Sequence, residues 1–251
     1  MVNELLQVTL GAFRIGAFLA AMPLFASTPI PPQIKVFMSM ALSFLTLSFQ
    51  GPFPEAILHN NILLGVVLAR EVGLGAFIGF GVRIIFVLVT LTLEFAGLQM
   101  GFSIANIINP QGSDQVSMLA AFGVNLLLLF LLSVNFHHNL FFVLTQSFQK
   151  IPIGVPDFQM GHMMGGLSQT LNDVFKASFQ LAFPVVFAMF AVHLVLAIIA
   201  KAAPQMNLFF NITFVVNIVC GLLLVNLSWP GIFAQFQHFS DRMMKTGYNL
   251  W

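Results

Sequence analysis

Residues 115–149 read QVSMLAAFGVNLLLLFLLSVNFHHNLFFVLTQSFQ and contain no aspartate, glutamate, lysine or arginine. A hydrocarbon layer about 30 Å thick is crossed by about 20 apolar residues in helix. The stretch is too long for one ordinary crossing. It is either one strongly tilted helix or two helices broken near Asn135-Phe136-His137-His138-Asn139. It lacks the two-residue alternation of a barrel strand, which rules against a β-barrel.

Working outward, the same pattern recurs along the chain. An apolar run spans Leu5 to about Ser27 with Arg14 inside it, and Thr28-Pro29-Ile30-Pro31-Pro32 stops it because proline cannot continue a helix. A second run covers about Ile34–Phe49 and ends at Gly51-Pro52-Phe53-Pro54. A third covers about Ala56–Phe80, interrupted by Arg70-Glu71, and a fourth about Val82–Met100, containing Glu94. Beyond the central stretch, Lys150–Gly166 reads as a polar connector. Further runs cover about Leu171–Ala200 and Leu208–Trp229, and the tail Pro230–Trp251 is more polar. The expected fold is an all-α membrane protein of about six to eight apolar helices in hairpins, some broken or strongly tilted. Met1–Gln7 carries Glu4 and no Lys or Arg, so the first run reads as a permanent helix and not a cleaved signal.

Composition supports this. Hydrophobic residues make up 59% of the chain and charged residues only 7%, against about 25% charged in soluble domains. So few charges cannot coat a water-facing surface, and lipid or apolar partner chains must cover much of the molecule. A net charge of +1 leaves no basic patch for nucleic acid. Phe is abundant while Tyr and Trp are scarce, which favours burial over an interfacial belt. The lone Cys220 forms no internal disulfide and reads as a helix-packing residue. Basic residues are too thinly spread for a topology to be assigned from them.

The polar residues inside these runs are the informative ones. Arg14, Arg70, Glu71, Arg83 and Glu94 lie in or beside apolar segments, where an unpaired charge costs at least about 2.5 kcal/mol. Arg70-Glu71 and Arg83 read either as helix ends beside short turns or as groups buried against sister subunits. Arg83 and Glu94 would share a face of a continuous helix but lie too far apart to pair. Asn125, Gln180, Asn211, Asn217 and Asn226 also need partners within apolar runs.

Several blocks, in order, resemble one family. They begin with Arg14, Pro23-x-Phe25 and Pro31-x-x-x-Lys35. Then come Glu71-x-x-Leu74-Gly75, Gly79-Phe80, Glu94-Phe95-Ala96-Gly97-Leu98-Gln99-Met100-Gly101-Phe102-Ser103-Ile104-Ala105 and Asn109-Pro110. His137-His138-Asn139-Leu140, Ser147-Phe148, Ile151-Pro152-Ile153-Gly154 and Phe179-Gln180-Leu181-Ala182-Phe183-Pro184-Val185 follow. Ala203-Pro204-Gln205-Met206-Asn207-Leu208-Phe209 and Gly221 complete the set. Over roughly residues 10–225 this resembles the FliR family, the R subunit of the flagellar type III protein-export gate, related to the virulence-type T subunit. The Met100–Ser103 and His137-His138 blocks resemble the flagellar branch. Lys201-Ala202-Ala203 departs from the family, which places an arginine nearer the proline, and Phe136 stands where glycine is frequent.

The resemblance implies a P-like part, about 1–165, fused to a Q-like part, about 166–251. It implies one subunit of a P5–Q4–R1 gate in the bacterial inner membrane and flagellar basal body, much of it above the membrane plane. Such a gate passes unfolded flagellar export substrates, contacts the B-type export switch protein and leads up to the rod. It implies no cofactor, no metal and no catalytic residue.

Within that frame, Met100, Gly101, Phe102, Ser103, Asn106, Asn109, Pro110 and Gly112 form a candidate pore plug. Irregular backbone at membrane depth must be buried in protein or line a water-filled cavity. Pro204, Gln205, Met206 and Asn207 form a candidate hairpin turn or contact to Q subunits or the B protein. Met160, Met163 and Met164 form a candidate soft seal. Adjacent His137 and His138 point about 100° apart on a helix and chelate one ion poorly. Two other classes compete. Gly101-Phe102-Ser103 with a distant histidine suggests an intramembrane serine protease, but Ile104 stands where a small residue is wanted. Intramembrane charges and broken helices also suit a solute transporter or channel acting alone.

Overall fold

Pro23 lacks an N–H and its ring blocks the preceding turn, so the first helix stops at Ala21, earlier than Ser27. The computed structural model describes residues 2–26, 30–49, 61–102, 116–154, 160–202 and 208–249. In these, α1 (Val2–Ala21) is followed by the single turn α2 (Pro23–Ala26). The next helix, α3 (Pro32–Leu45), has proline at its first position, where no N–H is needed. A 3₁₀ turn at Leu47–Phe49 follows it.

The third and fourth apolar runs are one helix, α4 (Asn61–Met100), 40 residues long. Arg70, Glu71 and Arg83 are therefore interior to a helix and do not mark its ends. The central charge-free stretch is two helices, α5 (Met118–Ser133) and α6 (Phe136–Lys150). The break falls at Asn135, held in the left-handed region at φ 56°, a conformation asparagine tolerates better than most residues. The last two helices are longer than their apolar runs. Helix α7 (Met160–Ala202) takes in part of the expected connector and contains Pro184, and α8 (Leu208–Asn249) continues through Pro230. No strand occurs among the described residues.

The chain divides into two compact units, residues 1–84, 131–169 and 241–251, and residues 85–130 and 170–240. In the first, the core is Leu10, Ile15, Phe18 and Leu19 of α1 with Leu74 and Ile78 of α4 and Leu144 and Phe148 of α6. Gly75 and Gly79 let α1 lie directly on α4. A Cβ at Gly75 would collide with the Arg14 carbonyl oxygen, and one at Gly79 would lie 2.7 Å from Phe18 O and Ala21 Cβ. This is the small-x-x-x-small device that brings apolar helices close. Ser43 of α3 donates to Val8 O at 2.7 Å, tying α3 to α1.

The second unit packs Leu88, Val89, Leu93 and Ala96 of α4 with Ala120 and Leu127 of α5, Val185 and Met189 of α7, and Phe236 of α8. Aromatic edges fix the approach of the helices. Phe86 meets Phe236 at 6.2 Å, Phe95 meets Phe179 at 5.8 Å, and Phe130 meets Phe233 at 4.5 Å, all edge-on, the arrangement the ring quadrupole favours.

Candidate functional site: two polar nodes

Among the described residues, a polar node stands out in each unit. In the first, Arg14 is fully buried at the middle of α1. Its Nε donates to Glu71 Oε2 at 2.6 Å. One terminal nitrogen lies 3.0 Å from Ser147 O and 3.3 Å from Ser147 Oγ, and the other donates to Ile151 O at 2.9 Å. The guanidinium also lies over the Phe148 ring, 4.3 Å from its centroid.

The chemistry follows from where those carbonyls sit. Ile151 is the C-cap of α6 and Ser147 lies in its last turn. The last four carbonyls of a helix have no partner within it and carry its negative dipole end. Arg14 gives the Ile151 carbonyl a donor, adds a second donor to the Ser147 carbonyl, which already accepts the Ile151 N–H, and neutralises Glu71 with the same planar fork, which lysine cannot do. One side chain thus joins α1, α4 and α6. Glu71 Oε1 accepts no hydrogen bond among the described residues. The three guanidinium nitrogens of neighbouring Arg70 are also buried.

In the second unit the node surrounds the end of α4. Phe102 N–H donates to Gly97 O at 3.0 Å and Gly101 N–H to Leu98 O at 3.3 Å. With Gly101 at φ 86°, this is a Schellman cap, in which glycine takes the left-handed position without a Cβ penalty. Met100 is wholly buried, its side chain filling the space where Gly221 of α8 lacks a Cβ. Ser117 caps α5, accepting from Ala120 N–H at 3.3 Å. The Ser117 N–H in turn donates to Glu94 Oε2 at 2.8 Å. A Cβ at Gly97 would lie 2.9 Å from Ser117 Oγ. A carboxylate at the start of α5 also meets the positive end of that helix. The chain therefore leaves α4 at Phe102 and re-enters at Ser117, with both points fastened to the last two turns of α4.

The other sequence-derived candidates divide as follows. Arg83 is exposed and Glu94 half-buried on one continuous helix. The rings of His137 and His138 lie edge-on, 4.3 Å apart. Among the described residues, no three His, Cys, Asp or Glu converge on one point. Met160, Met163 and Met164 lie in the first turns of α7. Ser103, Asn106, Asn109, Pro110 and Gly112 of the candidate plug lie outside the described residues, as do Pro204, Gln205, Met206 and Asn207. The roles of Ser117 and Gly97 were missed from sequence. A serine immediately before an apolar run is the usual N-cap signal and would have found the first.

The chain matches the model of the family described as bacterial export proteins, family 1, over residues 5–243. It belongs to the FliR family of bacterial export proteins. Among its relatives, the flagellar biosynthetic protein FliR of Bacillus subtilis (strain 168) is 31% identical over 216 residues, covering 82% of this chain and 83% of that protein. FliR of Aquifex aeolicus (strain VF5) is 28% identical over 240 residues, covering 94% and 91%. FliR of Escherichia coli (strain K12) is 25% identical over 229 residues, covering 91% and 86%. Both polar nodes of this FliR-family chain lie inside the matched range.

Proposed function

We propose that the chain is a non-enzymatic subunit of the flagellar type III export gate, forming with P and Q subunits the channel that passes unfolded flagellar proteins across the inner membrane. The family match over residues 5–243 carries this reading. Two features of the fold support it. Among the described residues, four helices are long and apolar enough to cross a membrane, or five if the bent pair α5–α6 is one span. The most apolar window of α7 is only 17% buried within the chain, so a large greasy face needs outside cover. In this reading residues 1–165 are the P-like part, residues 166–251 the Q-like part, and the gate stands in the basal body beside the B-type switch protein and below the rod.

Residues 100–112 act as the pore plug, fastened through the Gly101 cap and, beyond it, through Ser117 on Glu94. Deleting residues 106–112 is expected to make resting cells leaky to small ions while the gate still assembles. Unchanged permeability with normal assembly would refute the plug. For the gate itself, the chain produced together with P and Q subunits should purify as one complex of fixed mass. A chain that stays monodisperse alone and ignores both would refute it.

A further inference from the structure

Asn217 of α8 is only 9% exposed, and its Oδ1 receives no hydrogen bond among the described residues. A buried amide oxygen without a donor costs stability, and native chains keep few of them. Leucine has a similar shape and would fill the same space without that cost. The oxygen therefore asks for a use that the packing of the helices does not supply.

The neighbours of α8 show where this oxygen lies. Phe86 of α4 meets Phe236. Met100, the last residue of α4, fills the space beside Gly221, its sulfur 2.6 Å from where a Cβ would stand. Helices α4 and α8 thus run antiparallel and in step. Asn217 lies one turn beyond Gly221 on the same face, so it stands one turn past the end of α4. Helix α5 does not reach that level either. Its cap Ser117 lies against Gly97 of α4 and its Gly123 against Leu93, so it leads away from Asn217. Of the helices described in this unit, only α7 and α8 continue past Met100.

Neither of these carries the missing donor. N–H groups inside a helix are taken by carbonyls four residues back. Residues 194–199 of α7, toward the hairpin end, are wholly apolar. Thr213 lies one turn from Asn217 on α8 but does not bond to its Oδ1. The donor that fits is a peptide N–H in backbone that is not helical, because such a group has no partner of its own. A lone amide oxygen in an apolar wall accepts it whatever side chain the peptide carries.

We infer that Asn217 is an acceptor for a peptide N–H of non-helical backbone lying across the end of α4, beside Met100 and Gly221. Two polypeptides can bring that group there: the stretch of this chain that joins Phe102 to Val116, and a polypeptide in transit. The inference rests on the export reading and names a contact of that conduit.

The test uses Asn217→Leu in the full chain, made together with its partner subunits, beside the deletion of residues 106–112. The thermal midpoint of the purified complex should not fall, since no bond between the described helices is lost. If the donor belongs to the chain's own stretch, resting cells carrying Asn217→Leu leak small ions as the deletion does, and the two changes together leak no more than the deletion alone. If it belongs to a polypeptide in transit, the ion barrier holds and secretion of flagellar proteins falls about fivefold, the worth of one hydrogen bond. Either result supports the acceptor. A normal ion barrier with normal secretion would overturn it. A lower midpoint would also overturn it, because the amide would then belong to the helix packing. Deletion of 106–112 without a leak counts against the plug alone and leaves the secretion result to decide on Asn217.

Discussion

Helices α4 and α7 are of nearly equal length and both are strongly apolar, yet they are treated in opposite ways. The most apolar window of α4 is 61% buried inside the chain, and that of α7 only 17%. The difference lies in side-chain size and in where charges sit. Helix α4 carries Gly75 and Gly79, which admit α1 at contact distance, and Glu71, which is matched inside the chain by Arg14. Helix α7 carries Phe175, Phe179, Phe183, Phe187 and Phe190, all more than half exposed. Small residues bring a second helix of the same chain close, whereas the phenylalanine ridge, although Phe179 meets Phe95 of α4, leaves more than half of each side chain uncovered. Hydropathy says that a helix avoids water, and it does not say what replaces the water.

The largest test of that contrast is Arg14. Replacement by Met leaves Glu71 charged and buried and leaves two carbonyls at the end of α6 without this donor, a loss of about 3–5 kcal/mol. Strongly reduced chain level in membranes and loss of motility are expected. Arg14→Lys should rescue only partly, since an ammonium cannot hold the fork. The double variant Arg14→Met with Glu71→Leu should be more stable than Arg14→Met alone in thermal unfolding in detergent, because the stranded charge is gone.

Next come the glycines of α4. Gly79→Val forces α1 away and should cost about 1–3 kcal/mol or more. Gly73 meets no atom within 4 Å, so Gly73→Ala should be neutral or stabilising by up to about 1 kcal/mol through helix propensity. Equal effects at the two positions, read by the same thermal unfolding, would mean that α1 does not rest on α4 as described.

A smaller effect is expected at Glu94. Glu94→Ala removes the acceptor for Ser117 N–H and should cost about 1 kcal/mol. Glu94→Gln keeps an acceptor and should cost less. The smallest effect belongs to α7. Phe187→Leu leaves an exposed apolar residue exposed, so the stability of the purified chain should change by no more than about 0.5 kcal/mol. A large loss there would mean that the ridge is covered within the chain after all.

The outline of the fold was legible in the sequence, because long charge-free runs and prolines between them report helix formation directly. Pro31 and Pro32 mark the start of α3, and Asn135 lies where the central stretch breaks. Continuity was less legible. Arg70, Glu71 and Arg83 resemble helix ends, since a charge in an apolar run is costly unless something distant answers it. The answer to Glu71 is Arg14, separated from it by 57 positions, and no local pattern reports such a pair. Pro230 likewise suggests an end, since the last apolar run stops at Trp229, but it sits inside α8. For the candidate site, the glycine at 101 was readable as a place of unusual backbone. The clasp between Glu94 and Ser117 was not, because it depends on α5 returning to the last turns of α4.

The reach of Arg14 also bears on how the chain is made. At about 5–20 residues per second, its guanidinium emerges on the order of ten seconds before Ser147 and Ile151 have been translated. Glu71 arrives roughly halfway through that interval. The first helix therefore begins life with an unanswered cation, gains a counter-charge when α4 follows, and gains its full set of acceptors only after α6 is complete. Final seating of the amino-terminal helix is accordingly a late event in biogenesis, and until then its cation must be sheltered by water, lipid headgroups or the insertion machinery.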